Sequence, residues 1–178
     1  LAPVLAALLF ATAFPPSAPG APADLPKLLE ARRILFLGDS ITYAGEYVDF
    51  VETWVRVAHP ESKVEILNLG LPSETVSGLS EPGHAGGAFP RPDLHERLAR
   101  VLDRTKPDVV FAGYGMNDGI YHPPDPERFA RFQDGIRRFR ERVVAARAHP
   151  VHVTSAPFDP VPLGGRTLPA GKDAYPQP

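Results

Sequence analysis

Three short runs in this 178-residue chain carry residue types that acyl chemistry uses. Gly38-Asp39-Ser40 closes the apolar stretch Ile34–Leu37 and delivers a hydroxyl at the end of what reads as a buried strand. Asn68-Leu69-Gly70 ends a second apolar stretch, and Gly70 lets its backbone N–H approach a ligand because no Cβ intrudes. Gly113-Tyr114-Gly115-Met116-Asn117-Asp118-Gly119 ends a third, where the Asn117 amide is a donor. Acyl transfer needs a nucleophile beside preorganised donors aimed at the developing oxyanion. Ser40 is the nucleophile candidate, and the Ser40 N–H, the Gly70 N–H and the Asn117 side chain could supply three donors around one point. Each run also has a plainer reading. Asp and Ser at a strand-to-helix junction cap helices, a glycine after a strand makes a tight turn, and Asn-Asp-Gly is ordinary turn composition.

Serine also needs a base, since its hydroxyl is scarcely ionised near neutral pH. The chain has six histidines. His59 and His149 each precede a proline at a helix end, on the edge opposite Ser40; His95 lies early in a helix and His152 within a strand. Only His84, in a long loop, and His122, just past Asn117, fall on the rim that carries Ser40, and a solvated loop histidine is the plainer reading of both. The catalytic base is therefore unassigned.

Composition narrows the class. A net charge of −2 gives no reason to expect nucleic acid or an anionic membrane as partner. An apolar fraction of 43% fits a globular domain. The lack of cysteine excludes disulfides, a thiol nucleophile and thiolate metal sites. The length suits one domain. Leu1–Phe14 is an apolar run too short for a bilayer, which needs roughly 20 residues. With the small residues after it, the run matches the core of a secretory signal that lacks its charged leader; an apolar helix packed on the domain is the alternative. The expected organisation is a signal-peptide remnant over 1–23, a linker over 24–31 and a domain over 32–178, with a secreted or periplasmic location.

The elements that must position these motifs alternate. Ile34–Leu37 reads as a strand buried on both faces. Tyr47–Ala58 reads as a helix with Tyr47, Phe50, Val51, Trp54, Val55 and Ala58 on its apolar face, stopped by His59-Pro60. Val64–Leu69 is a strand; Leu71–Arg91 is mainly loop; Pro92–Thr105 is a helix with Pro92 in its first turn; Asp108–Tyr114 is a strand. A helix carrying Phe129, Phe132, Ile136, Phe139 and Val143 opens at Pro124-Asp125-Pro126-Glu127 and closes at His149-Pro150. Val151–Ala156 is a fourth strand. Alternation of this kind implies an α/β fold, a doubly wound parallel sheet between helices. All three motifs then share the carboxyl edge, where ligands bind in such sheets.

The order Gly-Asp-Ser, Asn-x-Gly, Gly-x-Asn-Asp, each after a strand, resembles blocks I, II and III of the GDSL/SGNH hydrolases over roughly residues 32–158. The resemblance implies a flavodoxin-like three-layer α/β/α fold, with Ser40 as nucleophile and Gly70 and Asn117 completing the oxyanion hole with the Ser40 N–H. It also implies a late Asp-x-x-His block that supplies the base. No such block follows the fourth strand here: Asp159 and Asp173 are present, but no histidine lies beyond His152. The expectation is therefore a serine esterase whose chain stops before its histidine block, nearly inactive over these 178 residues. It would act without metal or organic cofactor on small-molecule or carbohydrate O-acyl esters, with no nucleic-acid partner, no stable membrane span and an oligomeric state left open. The rival is a non-catalytic carbohydrate-binding or scaffold protein on the same fold. A nucleotide- or flavin-binding flavodoxin fits poorly, because Gly38-Asp39-Ser40 lacks the glycine-rich loop and lysine of phosphate sites.

Overall fold

The computed structural model describes residue 28, residues 30–120 and residues 124–155. The signal-peptide remnant and most of the linker lie outside the described residues, as does His122. Four parallel strands form one sheet: β1 (Arg33–Gly38), β2 (Glu65–Asn68), β3 (Val109–Gly113) and β4 (His149–Val153), in the order β2-β1-β3-β4. Among the described residues the helices that follow β1 are α1 (Ser40–Ala44), α2 (Glu46–Ala58), α3 (Leu94–Thr105) and α4 (Pro126–Ala145), with a 3-10 turn at His84–Gly87.

β1 is apolar throughout because it is covered twice. Ile34 and Phe36 point to one side, with Val48 and Val55 of α2, Val64 and Val109. Leu35 and Leu37 point to the other, with Leu94, Leu98 and Leu102 of α3, Phe139 and Val143 of α4, and Val110. Strand side chains alternate between faces, so a single strand feeds both cores of a three-layer α/β/α sandwich. Each fully buried aliphatic or aromatic side chain contributes about 1.5–3 kcal/mol.

Helix ends follow local chemistry. Asp39, Asp93 and Asp125 are the N-caps of α1, α3 and α4, accepting from the N–H groups of Ile41, His95 and Arg128. Pro126 opens α4, where its missing N–H costs nothing. Pro92, expected in the first turn of α3, precedes the cap instead, and its carbonyl accepts from Thr75 N–H at 2.9 Å.

Two expectations need correction. The fourth strand starts at His149, two residues before the expected Val151, and Pro150 lies within it opposite Val110. Among the described residues β4 is an edge strand, which has no second neighbour to miss the proline N–H. The apolar face of α2 is also rotated from the expected one: Val48 and Val55 are buried with Tyr47 and Val51 partly covered, while Phe50 is 75% and Trp54 49% exposed. The loop over 71–91 is packed rather than solvated in its first part, with Glu74, Thr75, Val76 and Ser77 all buried.

Candidate active site

β1 lies between β2 and β3, with Phe36 opposite Asn68 and Gly38 opposite Gly113. The three motifs therefore leave the sheet at one edge, with Ser40 opening the helix that follows the inner strand β1. The capping reading of Gly38-Asp39-Ser40 holds, and it falls on Asp39. Asp39 does the capping: its Oδ1 accepts from Ile41 N–H at 3.0 Å, and the residue is buried. Burial pushes its carboxyl above the usual range, opposed by its backbone hydrogen bonds and by Arg91. Ser40, relieved of that role, is exposed at the first helical position. Gly38 is required by close approach, because a Cβ there would stand 2.8 Å from the Gly113 carbonyl oxygen and 2.9 Å from Thr42 Cβ. A cleft of about 360 Å³ opens beside Ser40, walled by Ile41, Ala44, Glu46 and Tyr47.

Gly70 packs directly under α1. Its N–H donates to Asn68 Oδ1 at 3.0 Å, and Asn68 Nδ2 in turn donates to the Thr42 carbonyl at 2.6 Å. The Asn68 side chain thus ties the end of β2 to the serine helix. The other half of the same peptide unit, the Leu69 carbonyl, accepts from Arg97 Nη2 at 2.9 Å.

Asn117 is buried in the turn after β3, and its Nδ2 donates to the Glu74 backbone carbonyl at 3.2 Å. The Glu74 side chain is fully buried. Its Oε1 accepts from Arg97 Nε at 2.5 Å, and its Oε2 accepts from Arg97 Nη2 and from the Tyr114 hydroxyl, each at 2.6 Å. This bidentate pair is charge-balanced and fully bonded, the condition under which a buried ion pair is tolerated. Burial works against the Arg97 charge, but the bonds to Glu74 outweigh it and hold the guanidinium pKa above its usual value. Burial, reinforced by the Glu74 charge, drives the Tyr114 hydroxyl well above its usual value. Asp118, next to Asn117, accepts through Oδ1 from Val76 N–H at 3.0 Å and Ser77 N–H at 2.8 Å, while its buried Oδ2 has no partner among the described residues.

Ser40, Gly70 and Asn117 are thus connected through a few bonded or packed neighbours at one edge of the sheet. His84 sits in the 3-10 turn, with Nδ1 3.5 Å from Glu81 Oε1 and its ring edge-on to Phe89. Among the described residues no histidine hydrogen-bonds Ser40, and no cluster of histidine, aspartate and glutamate is arranged to hold a metal. Glu74 and Arg97 escape sequence reasoning because an isolated Glu in a Pro- and Gly-bounded loop, or an Arg at one helical position, shows no periodic sign of burial; Tyr114 and Asp118 fall within the third motif, but nothing in the sequence gives them these partners.

A three-layer α/β/α sheet with an exposed serine at the mouth of its central strand, flanked by glycine and asparagine turns, defines a class of hydrolase folds. The family model for GDSL-like lipases/acylhydrolases matches residues 36–177, and the chain belongs to that family. Among solved structures it is similar to a catalytic mutant of an acetylxylan esterase from Geobacillus stearothermophilus, at 21% identity and a TM-score of 0.55 over 70% of this chain and 59% of that one. The unmodified esterase from the same organism matches at 22% identity and a TM-score of 0.53, over 71% and 60%. These likenesses concern the fold, and the chain spans about 60% of the length of those enzymes. No curated protein matches it.

Proposed function

We propose that the protein is a secreted or periplasmic serine esterase in which Ser40, giving up its proton to a base that is unassigned among these 178 residues, attacks the carbonyl of a small carboxylic ester. The Ser40–acyl bond forms as the alcohol leaves, and water then releases the acid. The observation that carries this reading is the division of labour at Asp39 and Ser40: the carboxylate caps α1 and the hydroxyl is left exposed beside a cleft. In this reading the Ser40 N–H, the Gly70 N–H and the second hydrogen of Asn117 Nδ2 serve the oxyanion. An oxyanion at Gly70 has to share or displace Asn68 Oδ1, its acceptor in this structure.

A small acyl group on a carbohydrate is the proposed substrate class. The acetylxylan esterases that share the fold support it. The apolar run Leu1–Phe14 supports export, and among the described residues no helix is long and apolar enough to cross a membrane. The test is hydrolysis of 4-nitrophenyl acetate and of acetylated xylo-oligosaccharides by the complete gene product, with mass spectrometry of the trapped protein. The expected result is an acetyl adduct on the peptide that contains Ser40, lost in Ser40→Ala. An adduct elsewhere, or equal turnover by Ser40→Ala, refutes the reading. Tight oligosaccharide binding without any adduct would favour the rival, a carbohydrate-binding protein on the same fold.

A further inference from the structure

The buried group formed by Glu74, Arg97 and Tyr114 lies away from the cleft beside Ser40, yet it touches both turns that supply the donors. Arg97 Nη2 holds the Leu69 carbonyl at 2.9 Å. That oxygen belongs to the peptide unit that carries the Gly70 N–H. A trans peptide is planar, with its C=O and N–H pointing in opposite directions, so fixing the carbonyl from one side fixes the direction of the N–H on the other. The same guanidinium grips the Glu74 carboxylate through Nε and Nη2, and the backbone carbonyl of Glu74 accepts from Asn117 Nδ2 at 3.2 Å. Tyr114, on the segment that leads to Asn117, closes the arrangement by donating to Glu74 Oε2 at 2.6 Å.

We propose that Arg97, clamped by Glu74 and Tyr114, is a positioning residue that fixes the Gly70 peptide and, through Glu74, the Asn117 amide, so that an oxyanion formed at Ser40 can take the Gly70 N–H from Asn68 Oδ1 and the second Asn117 hydrogen; this rests on the esterase reading above. The two donors come from different turns, after β2 and after β3. Glu74 N–H reaches the turn after β2 through the Leu71 carbonyl at 3.2 Å, and the planar, doubly bonded Arg97 side chain adds the bond that sets the Leu69–Gly70 peptide itself. Lysine keeps the charge but cannot reproduce the side-on fork to Glu74 together with the bond to Leu69, so Arg97→Lys separates positioning from charge.

The experiment measures 4-nitrophenyl acetate hydrolysis by the complete gene product as wild type, Ser40→Ala, Arg97→Lys and Tyr114→Phe, below the melting temperature of each. It is joined by amide NMR of Gly70 and of the Asn117 side chain. A misplaced donor costs up to about 100-fold in rate, so Arg97→Lys is expected to lower kcat by roughly 10- to 100-fold with KM within about twofold. The Gly70 and Asn117 resonances should shift or broaden, and Tyr114→Phe should move the same readouts in the same direction by less. Unchanged kcat, or a lower melting temperature with both resonances unmoved, overturns the proposal and leaves a purely structural ion pair. If Arg97→Lys does not fold, Tyr114→Phe is judged by the same criteria. Equal turnover by the wild type and Ser40→Ala overturns the esterase reading and this proposal together, whereas a Ser40-dependent rate indifferent to Arg97 and Tyr114 overturns this proposal alone.

Discussion

Gly70 and Tyr43 are in backbone contact: a Cβ placed on Gly70 would stand 2.8 Å from Tyr43 Cα and 2.7 Å from the Thr42 carbonyl carbon. The turn after β2 and the helix that begins with Ser40 are thereby set at a fixed separation, with no side chain between them. Gly70→Ala is expected to push α1 away from β2 and to destabilise the protein by about 1–3 kcal/mol, the usual range for overpacking. Thermal denaturation checks the stability. Loss of the hydrogen bond from Asn68 Nδ2 to the Thr42 carbonyl, visible as a changed Asn68 side-chain resonance, checks the displacement.

Asp118 presents a second fixed relationship, with the buried loop at Val76 and Ser77. Removing its carboxyl in Asp118→Ala strands two backbone N–H groups, at an expected cost of about 1–3 kcal/mol for each buried group left unsatisfied. Burial raises the Asp118 pKa above its usual value, against the hydrogen bonds from Ser77 and Val76. The folded state therefore binds this proton more readily than the unfolded state. The stability this contributes is fully present below the unfolded pKa of 3.8 and is lost as pH rises through the folded pKa. Asp118→Asn keeps the Oδ1 acceptor and does not titrate. Its denaturant midpoint should gain on the wild type between mildly acidic and neutral pH, and parallel curves would refute this.

Glu81 titrates in the opposite sense. The Arg91 guanidinium, 4% exposed, bonds both carboxylate oxygens at 2.6 and 2.7 Å and holds the Glu81 pKa at about 2, below its usual 4.5, although partial burial raises it. The stability from this pair is present above pH 4.5 and is lost as pH falls from there towards about 2. Glu81→Gln is expected to cost about 1–3 kcal/mol at neutral pH and to lack that acid-dependent loss. Urea titrations of both proteins at neutral and acid pH provide the check.

The sheet was legible in the sequence because β1 and β3 are buried on both faces, which leaves unbroken apolar runs, and because aspartates and prolines punctuate the helices. Ser40, Gly70 and Asn117 could be placed on one edge from the strand order alone. The outer layer was less legible. The residues at 47, 50, 51, 54, 55 and 58 of α2 share helical spacing, but spacing does not say which edge of a broad apolar stripe meets the sheet. Phe50 and Trp54 lie on the edge that does not. Substituting Phe50 by Gln is accordingly expected to change stability by no more than about 0.5 kcal/mol, whereas Val55→Ala, at a buried position, should cost about 1–3 kcal/mol. The clamp was hidden for a different reason: Glu74 and Arg97 are 23 residues apart, and only the tertiary fold brings them to 2.5 Å.

Asn117 offers the sharpest test of the proposed donor set. Its Nδ2 carries two hydrogens, and one is given to the Glu74 carbonyl at 3.2 Å. In the proposed donor set the second serves an oxyanion formed at Ser40, and Asn117 is buried, where a fixed dipole acts more strongly than in water. Asn117→Ala removes both hydrogens and is expected to lower kcat by about 10²–10³-fold, the usual effect of losing one oxyanion donor. KM should change little, because the bond strengthens only as the carbonyl oxygen becomes charged. Asn117→Asp keeps the shape but replaces donors with a negative charge beside the developing oxyanion, and it should be at least as damaging as alanine. Steady-state kinetics on an acetyl ester decide the matter: an Asn117→Asp protein that retained wild-type kcat would remove Asn117 from the chemistry and leave it as a tie between the turn after β3 and Glu74.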